Sequence, residues 1–79
     1  MLVRFYAVAR EIAGCGEITL SAASIPELSA QLEQLYGERM ARLVAASTLL
    51  HDGVRHRATD EVELAADDTV DVLPPFAGG

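Results

Sequence analysis

The sequence contains no lysine and no tryptophan, and it has a single cysteine, Cys15. Because all six basic residues are arginine, the chain offers no side-chain amine for a Schiff base or an isopeptide bond. One cysteine cannot form a disulfide within the chain, which is typical of proteins from reducing compartments. These absences exclude a disulfide-stabilised scaffold and the joining of other groups to lysines of this chain.

Positive charge is also scarce, since twelve acidic residues stand against six basic ones and the net charge is −6. Such a surface repels phosphate backbones and favours basic protein surfaces. No apolar run approaches the length that spans a bilayer, and the opening residues, with Arg4 inside a short apolar run, lack the pattern of a signal peptide. We therefore expect a cytoplasmic protein that binds neither nucleic acid nor membrane.

Motifs for independent catalysis are missing as well. The sequence has no Ser-His-Asp or Cys-His arrangement, no glycine-rich phosphate loop and no paired-carboxylate motif. His51 and His56, near Asp52 and Asp60, are ligand types without a recognised zinc spacing, so we expect no metal site. Cys15 is either a persulfide relay or, as is more common for a lone cysteine, a small hydrophobic residue. The chain is not expected to be an enzyme on its own.

The length and the apolar content of the chain suit one small globular domain. The sequence has 79 residues, of which 51% are apolar and 23% charged. We predict a body over residues 1–73 and a flexible tail over residues 74–79. Residues 2–8 and 17–20 alternate between two faces with a period of two, which predicts two strands joined by a wide loop over residues 9–16.

One main helix is predicted after these strands. Ser24 and Glu27 have capping-box spacing, and Pro26 suits a first helical turn. Gly37 is a natural stop, and residues 38–46 are the candidate for a short second helix. Between the cap and the stop, four apolar residues recur at helical spacing: Ile25, Leu28, Leu32 and Leu35.

A second hairpin and a last strand complete the pattern. Asp52-Gly53, between residues 48–51 and 54–57, is typical of a two-residue turn that needs positive φ, and residues 69–73 alternate as a final strand. This order of elements predicts an α+β domain in which a helix covers one face of a mixed sheet of about five strands. Parallel pairing of the first and last strands at its centre would give a β-grasp, ubiquitin-like fold. The alternative, a ferredoxin-like sandwich, requires a second full helix.

The tail reads Pro-Pro-Phe-Ala-Gly-Gly over residues 74–79. Its two prolines cannot donate strand hydrogen bonds and favour an extended backbone. Six extended residues reach roughly 20 Å, and the two glycines, which have no Cβ, fit a narrow channel. The terminal carboxylate is ionised at neutral pH and is a poor electrophile until it is activated. These properties indicate a tail that enters the active site of a partner.

Three features together resemble the small subunit of molybdopterin synthase (MoaD), within the MoaD/ThiS family of ubiquitin-like sulfur carriers. They are the Pro-Pro-x-x-Gly-Gly ending, the opening Phe-Tyr-Ala-Val-Ala-Arg-Glu of residues 5–11 followed by Gly14, and the overall length. The resemblance covers nearly the whole chain. It implies that Gly79 is adenylated and then thiocarboxylated, and that Gly78 eases passage of the tail. Many relatives have an Asn-Gly turn where this chain has Asp52-Gly53.

The resemblance also implies the partners of the chain. A ubiquitin-activating-type adenylyltransferase would use ATP and Mg²⁺ to activate Gly79, and a sulfur donor enzyme would supply the sulfur. The large subunit of molybdopterin synthase would then pass the sulfur to a cyclic pyranopterin precursor in molybdenum cofactor biosynthesis. No permanently bound cofactor is expected on the chain itself.

Apolar residues beside the tail predict a partner-binding surface. By the period of two, Val3 and Phe5 face the helix with Val70 and Val72, so the residues between them point to the opposite face. We interpret the apolar ones as a docking patch with an aromatic anchor in the tail, made of Leu2, Tyr6, Leu73, Pro75 and Phe76. The alternative is that they are scattered surface hydrophobes, which are common.

Other functions remain open at this level. Related carriers for thiamin thiazole formation, cysteine biosynthesis and tRNA thiolation share the same chemistry at the terminal glycine. A non-covalent β-grasp binding module with incidental glycines is a second alternative. A ubiquitin-like modifier joined to lysines of other proteins is a third.

Overall fold

In a computed structural model, which describes residues 1–75, five strands form one mixed sheet and three helices pack on one of its faces. No helix in this part of the chain is long and apolar enough to cross a membrane. In chain order the elements are β1 (Leu2–Phe5), α1 (Val8–Ala13), β2 (Glu17–Thr19), α2 (Ile25–Tyr36), α3 (Glu38–Ala46), β3 (Thr48–His51), β4 (Val54–His56) and β5 (Thr69–Leu73).

The first and last strands lie side by side in the sheet, whose order is β2-β1-β5-β3-β4. β1 and β5 run parallel, with Val3 opposite Val70 and Phe5 opposite Val72. Every other pair of neighbouring strands is antiparallel. This arrangement confirms the predicted β-grasp fold.

The hydrophobic core lies between the sheet and the helices. The inward side chains of β1 and β5, which are Val3, Phe5, Val70 and Val72, are at most 2% exposed, as predicted. Burial of this size drives folding because each large apolar side chain contributes about 1.5–3 kcal/mol. The remaining fully buried hydrophobic residues come from β3 and from α1, α2 and α3: Ala9, Ile25, Leu28, Leu32, Met40, Val44 and Leu49.

The main helix begins and ends where the sequence predicts. Glu27 donates its backbone N–H to Ser24 Oγ at 3.2 Å, while the Glu27 carboxylate accepts a bond from Ala23 N at 3.0 Å. The helix ends at Gly37, whose φ of 91° is accessible to glycine at little cost. α3 confirms the predicted second helical piece. Leu35, however, is 55% exposed, so its predicted place on the buried face is wrong.

The predicted loop over residues 9–16 is wrong, because α1 occupies most of it. No side chain caps the start of this short helix, which explains why the sequence signals missed it. Gly14, with φ of 76°, ends it and donates its N–H to Arg10 O at 2.9 Å. Because β1 ends at Phe5, the first strand is also shorter than the predicted 2–8.

The second hairpin has the predicted turn. Asp52 and Gly53 have φ of 51° and 76°, so both central residues occupy the left-handed region that two-residue hairpins require. β5 runs to Leu73, and Pro74 is buried while Pro75 is exposed. The rest of the predicted tail, residues 76–79, lies outside the described part of the chain.

The two leucines of α2 offer a matched test of this packing. Leu32→Ala should lower the free energy of unfolding by about 2–5 kcal/mol, because Leu32 is fully buried and leaves a cavity. Leu35→Ala should change it by about 0.5 kcal/mol or less, because Leu35 is mostly exposed. Urea unfolding followed by circular dichroism measures both. Equal losses in the two variants would contradict the helix orientation.

Candidate functional site

The sheet face away from the helices carries the residues predicted to bind a partner. No described element covers this surface, which we call the open face. By strand alternation, Leu2, Arg4, Thr69, Asp71 and Leu73 of the two parallel strands point to it. β5, one of the strands that form this face, leads directly to Pro74 and Pro75.

A charged pair occupies the middle of the open face. Arg4 of β1 lies opposite Asp71 of β5 and donates to both of its oxygens, from Nε at 2.6 Å and from Nη2 at 3.1 Å. The hydrogen bonds and the charge of Asp71 raise the pKa of Arg4, so the guanidinium stays charged. Such a two-point pair has a fixed geometry because the planar guanidinium matches the carboxylate.

Other strands extend this pair into a row across the sheet. Glu17 of β2 lies opposite Arg4, and Leu50 of β3 lies opposite Asp71, followed by Arg55 of β4. Acidic and basic side chains therefore alternate along the row, and Leu50 separates the last two of them. The order across the sheet is Glu17, Arg4, Asp71, Leu50 and Arg55. The period of two predicts this face for Arg4 and Asp71, whereas the places of Glu17, Leu50 and Arg55 follow from the strand order.

The row divides the predicted docking patch. Tyr6 follows β1 directly and Leu73 ends β5, so these two lie at the end of the face from which the tail leaves. Leu2 lies opposite Thr69, on the other side of Arg4, at the far end of the face. The structure thus places Tyr6 and Leu73 at one end of the open face and Leu2 at the other.

The remaining predicted site residues follow Leu73. Pro74 is buried, and Pro75 is exposed two residues after Leu73. Phe76, Gly78 and Gly79 lie outside the described residues. Three roles therefore stay predictions: Phe76 as the aromatic anchor, Gly78 as the residue that eases passage of the tail, and Gly79 as the residue that carries the sulfur.

A histidine–aspartate contact that sequence spacing did not reveal ties β3 to the start of β5. His51 Nε2 lies 2.8 Å from Asp68 Oδ2 and 3.5 Å from Asp52 Oδ2. The hydrogen bond from the Ala65 N–H, and then that from His51, lower the pKa of Asp68. His51, Asp52 and Asp68 are also metal-ligand types, but hydrogen bonding accounts for their proximity. His56, the other predicted candidate ligand, has its Nδ1 3.6 Å from Asp60.

Cys15 lies at the edge of the core, partly buried and packed against it. Burial, with a contribution from the Cys15 thiol, raises the pKa of the neighbouring Tyr36. The Tyr36 ring also meets Phe5 edge-on, with centroids 5.8 Å apart. These contacts favour the interpretation of Cys15 as a small hydrophobic residue.

Solved structures share this fold. A candidate molybdopterin converting factor subunit 1 from Pyrococcus furiosus is 28% identical over 95% of both chains, with a TM-score of 0.72. Small archaeal modifier protein 1 from Methanosarcina acetivorans is 24% identical, covering 99% of this chain and 94% of its own, with a TM-score of 0.77. Its Haloferax volcanii counterpart is 19% identical, covering 100% and 98%, with a TM-score of 0.81.

The family follows from the sequence itself. A model of the ThiS family matches residues 3–79, which is nearly the entire chain. No curated protein matches it. The chain belongs to the ThiS family and is a ubiquitin-like sulfur carrier of the MoaD/ThiS type, a small protein that is not itself catalytic.

The lowered pKa of Asp68 predicts a pH-dependent contribution to stability. Its carboxylate stabilises the fold above the unfolded-state pKa of about 4, and this contribution is lost as the pH falls through the lower folded-state pKa. Asp68→Asn should therefore be less stable than the parent chain at neutral pH, and the difference should shrink in acid. Urea unfolding of both chains at several pH values measures this.

The neighbouring Asp67→Asn is the matched control, because it removes the same charge without touching the bonds to Ala65 and His51. Its deficit at neutral pH should be smaller than that of Asp68→Asn. A deficit for Asp68→Asn that is the same in acid as at neutral pH would show that the carboxylate charge contributes nothing.

Proposed function

We propose that this chain carries sulfur as a thiocarboxylate on the terminal carboxyl of Gly79 and delivers it to molybdopterin as the small subunit of molybdopterin synthase. The observation that carries the proposal is the family match, which extends through the Gly-Gly ending at residue 79. The fold supports it because β5, an interior strand of the sheet, leads directly into the tail.

The chemistry begins with activation of the carboxylate, a poor electrophile. A ubiquitin-activating-type enzyme with ATP and Mg²⁺ joins the Gly79 carboxylate to the α-phosphate, and pyrophosphate leaves. With hydrosulfide as the sulfur source, sulfur attacks the carbonyl carbon, AMP leaves and one proton is released. The product is a thiocarboxylate. The thiocarboxylate sulfur then attacks an electrophilic carbon of the acceptor and displaces the group bonded there. Water cleaves the acyl–sulfur bond, which leaves the sulfur on the acceptor and restores the carboxylate.

The body of the chain contributes docking and rigidity. Tyr6, which is 38% exposed, and Leu73 form an apolar spot where the tail leaves the sheet. Contact there would fix the starting point of the tail, and Phe76 would add an aromatic anchor beyond it. The partners would be the activating enzyme, a sulfur donor enzyme and the large synthase subunit.

The choice of molybdopterin as the destination rests on two observations. The ending Pro-Pro-x-x-Gly-Gly is the most specific part of the resemblance, and the Pyrococcus furiosus protein is 28% identical over 95% of both chains. The second candidate function is that of an archaeal-type modifier or a tRNA-thiolation carrier. The two modifier proteins that favour it are 24% and 19% identical, and likeness at that level shows the fold alone.

Exchange of labelled pyrophosphate into ATP, catalysed by an activating enzyme from the same organism, tests the proposal. The parent chain should support exchange. Deleting Gly79, or adding one residue after it, should reduce exchange by at least two orders of magnitude. The carboxylate would move by about 3.5 Å, and an error of even about 1 Å can cost a hundredfold in rate.

Two controls complete this experiment. Circular dichroism should show that both tail variants remain folded, because neither variant changes the buried hydrophobic residues of the described core. Addition of the large synthase subunit and the pterin precursor to the thiocarboxylated chain should return Gly79 to a plain carboxylate. Exchange that survives deletion of Gly79 would favour a non-covalent binding module instead.

A further inference from the structure

A small cavity opens on the open face at the turn between β3 and β4. Its volume is about 240 Å³, enough for the end of one large side chain. The Arg4–Asp71 pair forms one wall, and the hairpin turn forms another. The lining residues are Arg4, Leu50, Asp52, Gly53, Thr69 and Asp71.

The charges around this cavity favour a cation. Two carboxylates, of Asp52 and Asp71, line it against one guanidinium, of Arg4. Arg4 is already occupied by Asp71 on one side and has Glu17 opposite it on the other. An anion entering the cavity would therefore meet two carboxylates around a guanidinium that is already neutralised. The net charge of −6 for the chain adds to this preference.

The two carboxylates differ in how much solvent they would lose on docking. The Asp71 side chain is 12% exposed and is satisfied by Arg4, whereas the Asp52 side chain is 73% exposed. An apolar surface placed over the cavity would remove water from Asp52 and leave its carboxylate with only the 3.5 Å contact to His51 Nε2, which is costly. A basic side chain would replace that water with a charge-assisted hydrogen bond.

We propose that this cavity receives a lysine or arginine side chain of the protein that activates the tail, which makes Asp52 and Asp71 specificity-determining residues for docking. The proposal rests on the proposed function, because it assumes that the partner covers the open face while it holds the tail. The partner must therefore present a basic side chain at the Thr69 end of the open face. This position lies on the other side of the Arg4–Asp71 pair from the apolar contact at Tyr6 and Leu73.

Asp52→Asn is the sharpest variant for a test. Asparagine tolerates the positive φ of this turn position, so the hairpin is kept while the charge is removed. Glu33→Gln is the matched control, since Glu33 is an exposed residue of α2, on the helical side of the sheet. Both variants change the net charge by one unit, which separates a local contact from general electrostatic attraction.

Pyrophosphate exchange with the activating enzyme gives the first readout. Asp52→Asn should raise the KM for the carrier about tenfold with kcat unchanged, because the basic side chain of the partner would lose its charge-assisted hydrogen bond. Glu33→Gln should leave KM near that of the parent. Equal KM values for the two variants would overturn the proposal while leaving the sulfur-carrier function intact. Failure of the parent chain to support exchange would instead contradict the proposed function.

A second readout uses the chain alone. N-acetyl-arginine N-methylamide is titrated into the ¹⁵N-labelled chain, with the uncharged citrulline analogue, which has nearly the same shape, as the control. The arginine compound should shift the amide signals of Gly53, Thr69 and Asp71, and Asp52→Asn should weaken that response. Equal shifts with the two compounds, or no shifts at these residues, would overturn the cavity's preference for a cation.

Discussion

The parallel pairing of β1 with β5 is the constraint on which the rest of the structure depends. It joins the two ends of the sequence and places Val3 and Phe5 against Val70 and Val72 in the core. On the other face the same register sets Arg4 against Asp71. Because parallel strands need a long crossover, the helices and the other three strands form the connection between β1 and β5, and the helices cover one face of the sheet. The opposite face is left open beside the strand that leads into the tail.

This arrangement separates folding from chemistry. Within residues 1–75 the buried hydrophobic core is built from residues 1–72, whereas the proposed reaction takes place on the carboxyl group of Gly79. The body instead presents a surface that combines an apolar contact near the tail with a central row of charges. Charge pairs of this kind contribute more to the choice of partner than to affinity. A carrier without lysine also cannot be joined to further copies through lysine side chains.

Local signals in the sequence predicted most of the fold, and contacts between distant residues explain what they missed. The Ser24 cap, the Asp52-Gly53 turn and the alternation of β5 each follow from neighbouring residues, so each was found. α1 has no capping side chain and only six residues, so no local signal distinguishes it from a loop. The pairs Arg4–Asp71 and His51–Asp68 join residues 67 and 17 positions apart, which no spacing rule connects. The Arg4–Asp71 pair lies between Leu2 and the end of the open face that holds Tyr6 and Leu73, and it therefore divides the predicted docking patch.

The central claim is that sulfur resides on the carboxyl group of Gly79, and mass spectrometry of the C-terminal peptide tests it most directly. The chain is incubated with its activating enzyme, ATP and sulfide, and the peptide is then sequenced by fragmentation. The account predicts that one terminal oxygen is replaced by sulfur and that the mass change maps to Gly79 alone. An unmodified Gly79 in the presence of an activating enzyme that is competent on another carrier, or sulfur found on Cys15 instead, would contradict it.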